Sequence, residues 1–205
     1  MRLIILAVAA FLAGCNYTAA APAASSAEPA ARVEAEAHEE IAIFAGGCFW
    51  CIEAELQELP GVRSVISGYT GGTTPDPIYK SMGDHAEAVE VIFDPAEISY
   101  DRLLRVFWSN IDPTDEGGQF FDRGSQYRTA IFVLDPAQEA AAEASLAANA
   151  ARLNQPVHTA VLAAGAFYPA EDYHQDYYLK EPERYRAYKE ASRRKETLAR
   201  VWGAD

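Results

Sequence analysis

The sequence predicts a single α/β or α+β domain, on three observations. Strand-like and helix-like runs alternate from about residue 40 onward. Polar loops containing glycine separate them, and no internal repeat is evident. The chain has 205 residues, half of them hydrophobic, which is enough for one domain of ordinary size with a sizeable core. The order of strands in the sheet does not follow from this pattern.

The elements can be justified in turn. Ile41-Ala42-Ile43-Phe44-Ala45 has strand character, Gly46-Gly47 makes a turn, and residues 52–59 read as a helix. Residues 62–69 read as a strand, followed by a turn-rich loop over 70–77. Residues 86–93 form a strand closed by Asp94-Pro95. Ser99 fits a helix N-cap with Asp101 in the first turn. Leu103, Leu104, Phe107, Trp108 and Ile111 then fall at helical spacing and are assigned to the core. A polar loop with three glycines covers 112–126, and residues 127–134 form a strand. Asp135-Pro136 starts an alanine-rich helix to about 153. A strand over 157–163 follows, and a charged helical tail begins near 182.

Upstream of the domain the chain reads as an export signal. Arg2 supplies a positive charge and residues 3–13 are an unbroken apolar stretch, short for a membrane span. It ends in Leu12-Ala13-Gly14-Cys15, which resembles the lipobox of bacterial lipoproteins, so Cys15 is the expected lipidation site. Ordinary signal cleavage to a soluble periplasmic protein is the alternative. The expected division is a signal peptide over 1–14, a flexible Ala/Pro/Glu tether over 15–39, and a folded domain over 40–205. The tether has almost no large apolar residue to bury. The net charge of −13 argues against sequence-blind binding to nucleic acid or to an anionic membrane surface. Membrane association is therefore expected through the lipid alone.

Gly46-Gly47-Cys48-Phe49-Trp50-Cys51 concentrates the chemistry. Cys48 sits where a helix begins, among backbone N–H groups without internal partners, so its thiolate is expected to be favoured. Cys51 follows one turn later on the same face. With Cys15 lipidated, these are the only mature thiols. A bridge closing so short a loop restrains the unfolded chain little, which favours a catalytic over a structural role. Zinc fits poorly: a structural site needs four ligands, and His38, His85, His158 and His174 show no paired spacing. A thioredoxin-like oxidoreductase and a self-resolving thiol reductase both fit. Alternation along 86–93 puts Glu87 on the face of Val89, Val91 and Phe93. A carboxyl drawn into that apolar face stays protonated and can donate a proton; at the strand end it would meet water or a salt bridge. Tyr79, Asp122, Tyr127 and His174 lie in or beside polar loops, as site residues or as surface residues. The tyrosines of the tail, Tyr188 among them, are assigned to packing.

The chain resembles the peptide methionine sulfoxide reductases of the A type. The matching blocks occur in order: Gly47-Cys48-Phe49-Trp50, Gly68-Tyr69-Thr70-Gly71-Gly72, Asp76-Pro77-Ile78-Tyr79, Asp84-His85-Ala86-Glu87, Ile111-Asp112-Pro113-Thr114, Asp122-Arg123-Gly124-Ser125-Gln126-Tyr127-Arg128, and Phe167 through Gln175. The resemblance implies a two-layer sandwich with a ferredoxin-like core and a long coiled C-terminal segment. It implies Cys48 as nucleophile, Phe49 and Trp50 as the pocket for the substrate methyl group, and Glu87 as proton donor. It further implies Tyr79 and Tyr127 as ligands of the sulfoxide oxygen, with Asp122 in the same site. Cys51 stands where many members have glycine, and no cysteine follows it. The chain thus resembles the GCFWC subgroup, with Cys51 as resolving thiol. The implied reaction reduces methionine S-sulfoxide, free or in exported proteins, with a thioredoxin-like reductant, or dithiothreitol in vitro. No metal, no bound cofactor and a monomer are expected.

Overall fold

A computed structural model describes residues 30–31 and 33–203. The export-signal, lipidation and most of the tether readings, Cys15 included, lie outside the described residues. The first strand, β1 (Glu40–Gly46), is followed by helix α1 (Phe49–Gln57), and the hairpin strands β2 (Val62–Thr70) and β3 (Ala86–Phe93) come next. Helix α2 (Tyr100–Ser109), the two-residue strands β4 (Gly118–Gln119) and β5 (Asp122–Arg123), and strand β6 (Thr129–Val133) complete the central unit. Then follow α3 (Pro136–Leu153), β7 (Ala160–Ala163), β8 (Tyr168–Pro169), and helices α4 (Tyr177–Lys180), α5 (Pro182–Ala191) and α6 (Arg194–Trp202).

The main sheet has the order β7-β6-β1-β3-β2-β8. Its inner four strands with α1 and α2 form a β-α-β-β-α-β unit, the ferredoxin-like arrangement. β1 pairs antiparallel with both β3 and β6, while β7 joins β6 in parallel through the α3 crossover. β8 pairs with β2 and so brings the C-terminal segment to the opposite edge.

Side-chain alternation decides the layers. Val89, Val91 and Phe93 join Phe44, Ile52, Leu56, Leu103, Leu104 and Phe107 in a core beneath the helices. Ala86, Ala88, Ile43, Ala45 and Phe132 face the other way, where Phe167 covers them. Ser99 caps α2 by accepting from the Arg102 N–H, as its position predicts. Asp135 caps α3, accepting from Ala137 and Gln138 ahead of the first-turn proline.

Four elements depart from the sequence reading, among them the strand expected over 157–163, which begins only at Ala160. The first helix starts at Phe49, so Phe49, Trp50 and Cys51 belong to it. The strand expected over 127–134 begins at Thr129, because Tyr127 is taken into a 3₁₀ turn, Ser125–Tyr127. The loop over 112–126 is partly ordered: Gln119 is fully buried, exchanging hydrogen bonds with the Asp112 backbone, and β4 and β5 pair around it. At the other end of the domain, Arg63 binds the Glu34 carbonyl and the Glu36 and Glu39 carboxylates, and the Ala30 N–H donates to the Ala170 carbonyl. Among the described residues, no helix is long and apolar enough to cross a membrane.

Candidate active site

The turn from β1 into α1 sets the site. Gly47 has φ +82°, and a Cβ there would lie 2.5 Å from the Gln119 Cβ. The chain therefore folds back tightly onto the 118–123 hairpin and delivers Cys48 as the N-cap of α1. Cys48, Phe49, Trp50, Tyr79, Glu87, Asp122 and Tyr127 together line a cavity of about 250 Å³, joined by Phe121 and Tyr188. Seven of the eight site residues that the resemblance implies thus meet in one concave place. The eighth, Cys51, lies just beneath it, buried against Cys48 and Tyr185. Both cysteines are free thiols.

Glu87 is 1% exposed, which settles its position in favour of the apolar face over the strand end. Its Oε2 accepts from the Phe49 N–H at 3.1 Å, the donor offered by the start of α1. Burial pushes its pKa up to about 8, with a further push from Asp122 and Cys51, against the pull of that N–H. At neutral pH the carboxyl therefore holds its proton.

The two thiols do not behave as helix position alone predicts. Burial raises the Cys48 thiol well above its ordinary value, and the Cys51 sulfur to which it hydrogen-bonds raises it further. Cys51 is lowered to about 6, chiefly by that bond from Cys48, with help from Arg194, Tyr185 and Lys189. The helix start favours charge at Cys48, but burial there and the bond between the two sulfurs work against it. The two sulfurs are hydrogen-bonded, so ionisation of either is felt by the other.

The aromatic wall is fixed from behind by the segment following β8. The Trp50 indole N–H donates to His174 Nδ1 at 3.2 Å, and its ring stacks on Tyr177 at 3.9 Å. His174 is buried against Phe49 and Tyr79, and burial lowers its pKa to about 4, so it stays a neutral acceptor. Glu171 accepts from the Tyr79 N–H at 3.0 Å and the Tyr69 hydroxyl at 2.8 Å. Gln175 clamps both backbone groups of Ser67. Burial raises the hydroxyl of Tyr79 to about 12, against a pull from Tyr127, and raises that of Tyr127 too, so both stay protonated donors. The Tyr188 hydroxyl donates to Asp122 Oδ2, and burial raises the Asp122 carboxyl.

Sequence reasoning left out Phe121 and Tyr188 from the cavity and assigned Tyr188 to packing. It also missed the support given by Tyr69, Glu171 and Gln175. Phe121 carries no periodic signal because it sits at the tip of a two-residue hairpin. Tyr188 is one tyrosine among several in a helical tail, and only the docking of α5 selects it. Among the described residues, no group of three or more His, Cys, Asp or Glu is placed to hold a metal ion.

A cavity with an acid, two hydroxyl donors, an aromatic wall and a thiol pair can protonate an oxygen while a sulfur attacks beside it. Comparison with known proteins agrees with that chemistry. Residues 40–205 match the sequence model of the family described as peptide methionine sulfoxide reductase. A relative in Bacillus licheniformis, named peptide methionine sulfoxide reductase MsrA, is 48% identical over 170 residues, covering 80% of this chain and 94% of its own. The structure of methionine sulfoxide reductase A of Corynebacterium diphtheriae superposes with a TM-score of 0.69 at 33% identity, covering 72% of this chain and 77% of that one. Reduced Mxr1 from Saccharomyces cerevisiae superposes with a TM-score of 0.70 at 26% identity, covering 73% and 90%.

Proposed function

Because the chain belongs to the peptide methionine sulfoxide reductase family, we propose that its cavity reduces the S epimer of methionine sulfoxide by thiol attack at Cys48 and disulfide closure with Cys51. The family works with a thiol reductant and needs no other cofactor. The observation that carries the mechanism is Glu87, 1% exposed in the same cavity as the Cys48 sulfur, where loss of water favours its protonated form.

The reaction balances as follows. The substrate methyl group packs against Phe49 and Trp50, and the sulfoxide oxygen meets Glu87, Tyr79 and Tyr127. The Cys48 sulfur attacks the sulfoxide sulfur as its proton passes to Cys51, and Glu87 gives its proton to the oxygen, otherwise a very poor leaving group. The tyrosine hydroxyls hold the charge developing there. Oxygen is transferred, methionine leaves, and Cys48 becomes a sulfenic acid. Cys51 then attacks the Cys48 sulfur; the S–S bond forms and the hydroxyl leaves with a proton as water. A thioredoxin-like dithiol reduces the disulfide and restores both thiols. The resolving step falls to Cys51 because it lies buried against Cys48, as the resemblance to the GCFWC subgroup implies.

The apolar run and Leu12-Ala13-Gly14-Cys15 support export, lipidation at Cys15 and a periplasmic domain that repairs oxidised exported proteins. The test of function takes residues 30–205, dithiothreitol and a peptide with epimer-resolved methionine sulfoxide, and follows methionine by mass. Loss of the S epimer alone is expected. Survival of both epimers, with Cys48 titrating as a free thiol, overturns the proposal.

A further inference from the structure

The cavity has room for one side chain, so the rest of a peptide substrate must lie at its mouth. Its volume of about 250 Å³ falls below the roughly 300–1,000 Å³ of a site for a drug-sized ligand. With an oxidised methionine inside, its neighbours in the peptide stay outside and meet whatever stands at the rim.

Phe121 is the apolar part of that rim. It lines the cavity with Cys48, Glu87 and Tyr127, yet it is 67% exposed, the most exposed large hydrophobic side chain among the described residues. A single exposed hydrophobic residue on a surface is ordinary. One held at the mouth of a reaction cavity by a dedicated piece of backbone is not. Phe120 and Phe121 form the tip between β4 and β5, which pair Gly118 with Arg123 and Gln119 with Asp122. The tip starts on Phe120 at φ +56°, a left-handed conformation that a bulky side chain rarely adopts. The Phe120 ring lies 4.2 Å from the guanidinium carbon of Arg194, which is itself tied to the Asn110 carbonyl. Behind the tip, Gln119 is fully buried and bonded to the Asp112 backbone; after it, Asp122 accepts from the Tyr188 hydroxyl. Two adjacent phenylalanines thus have opposite fates: the first anchors the hairpin, and the second is presented to solvent on that anchored base. Ring contacts join Phe49, Trp50, Tyr79 and His174 in the cavity wall, but among the described residues none involves Phe121.

We propose that Phe121 is a specificity-determining residue, favouring oxidised methionine that has an apolar side chain within two residues of it in the peptide. An extended peptide advances about 3.3 Å per residue, so a side chain one or two positions away reaches the rim while the sulfoxide is inside. Covering an aromatic ring on a rigid base removes apolar surface from water at a low cost in conformational entropy. A glycine neighbour gains nothing from that contact. This inference rests on the reduction of methionine sulfoxide proposed above and adds the class of peptide on which it acts best.

The test compares two pentapeptides with the S epimer of methionine sulfoxide at the centre, one with leucine on both sides and one with glycine. The wild-type kcat/KM is expected to favour the leucine peptide by about five- to tenfold, and Phe121→Ala to bring that ratio below about two. Phe121→Leu keeps an apolar side chain and should retain most of the preference. Leu162→Ala, which removes an exposed apolar side chain of β7 outside the cavity, should retain all of it. In the Cys48→Ser background, calorimetric Kd values for the same peptides should show the same preference and its loss in Phe121→Ala. A wild-type ratio near one, or an unchanged ratio in Phe121→Ala, overturns the inference. If the wild type reduces neither peptide, the reduction proposal fails instead, and the Kd ratios still decide the role of Phe121.

Discussion

Replacing Glu87 by glutamine removes one proton and little else. The amide oxygen can still accept from the Phe49 N–H, and the side chain keeps its volume in a site that is 1% exposed. At pH 7 a carboxyl titrating near 8 is protonated in about nine molecules in ten, against about 0.3% for one titrating at 4.5, so burial supplies roughly 300-fold more acid. Loss of a general acid costs roughly 10²–10⁴-fold. Single-turnover methionine release, followed by rapid quench and mass, should therefore fall by that factor in Glu87→Gln. The wild-type rate should also decline as pH rises through about 8, a limb absent from the variant. Stability gives an independent check of sign. The folded carboxyl keeps a proton that the unfolded chain releases from about pH 4.5, so folding loses stability as pH rises between 4.5 and about 8. The slope is about 1.4 kcal/mol per pH unit within that window. Urea unfolding at pH 5 and 7 should show a larger loss in the wild type than in Glu87→Gln, which keeps the share of Glu53, a second buried carboxyl raised to about 8. Turnover within threefold of wild type, or a rate flat from pH 6 to 9.5, would refute the proton-donor argument.

Further outcomes follow from the same geometry. Cys48→Ser should release no methionine, whereas Cys51→Ser should release about one per enzyme in a quenched burst and fail to recycle with thioredoxin. His174→Phe strips the Trp50 indole of its acceptor, and about a tenfold rise in KM with a smaller change in kcat is expected in steady-state assays. The same histidine is held neutral, its pKa lowered from 6.5 to about 4, so its contribution is lost as pH falls through that window, and the stability difference between wild type and His174→Phe in thermal melts should shrink there. Gly47→Ala combines a positive φ with a 2.5 Å approach to Gln119; roughly 2–4 kcal/mol of destabilisation in urea titrations is expected.

The local chemistry of this chain was legible because it is written in short-range pattern. The strand over 86–93, the Ser99 and Asp135 caps and the apolar stripe of α2 each depend on neighbours within a turn or two, and each formed as read. Alternation also put Glu87 on the right face, but could not say whether water reached it. That depended on α1 laying its first N–H over the carboxyl from 38 residues away. The same limit explains the thiols. Position at a helix start is a sequence fact and argues for charge at Cys48. The burial that works against charge at Cys48 comes in part from Tyr185 and Tyr188, which arrive with α5 more than a hundred residues later. Tyr188, Glu171 and His174 likewise acquire roles only when β8 pairs with β2 and carries the tail across the cavity mouth. What the sequence determined by itself was therefore the kinds of groups present and the elements that carry them. Which of them lose water, and which charges they then face, was decided by tertiary packing, because desolvation and Coulomb fields depend on distance in space rather than along the chain.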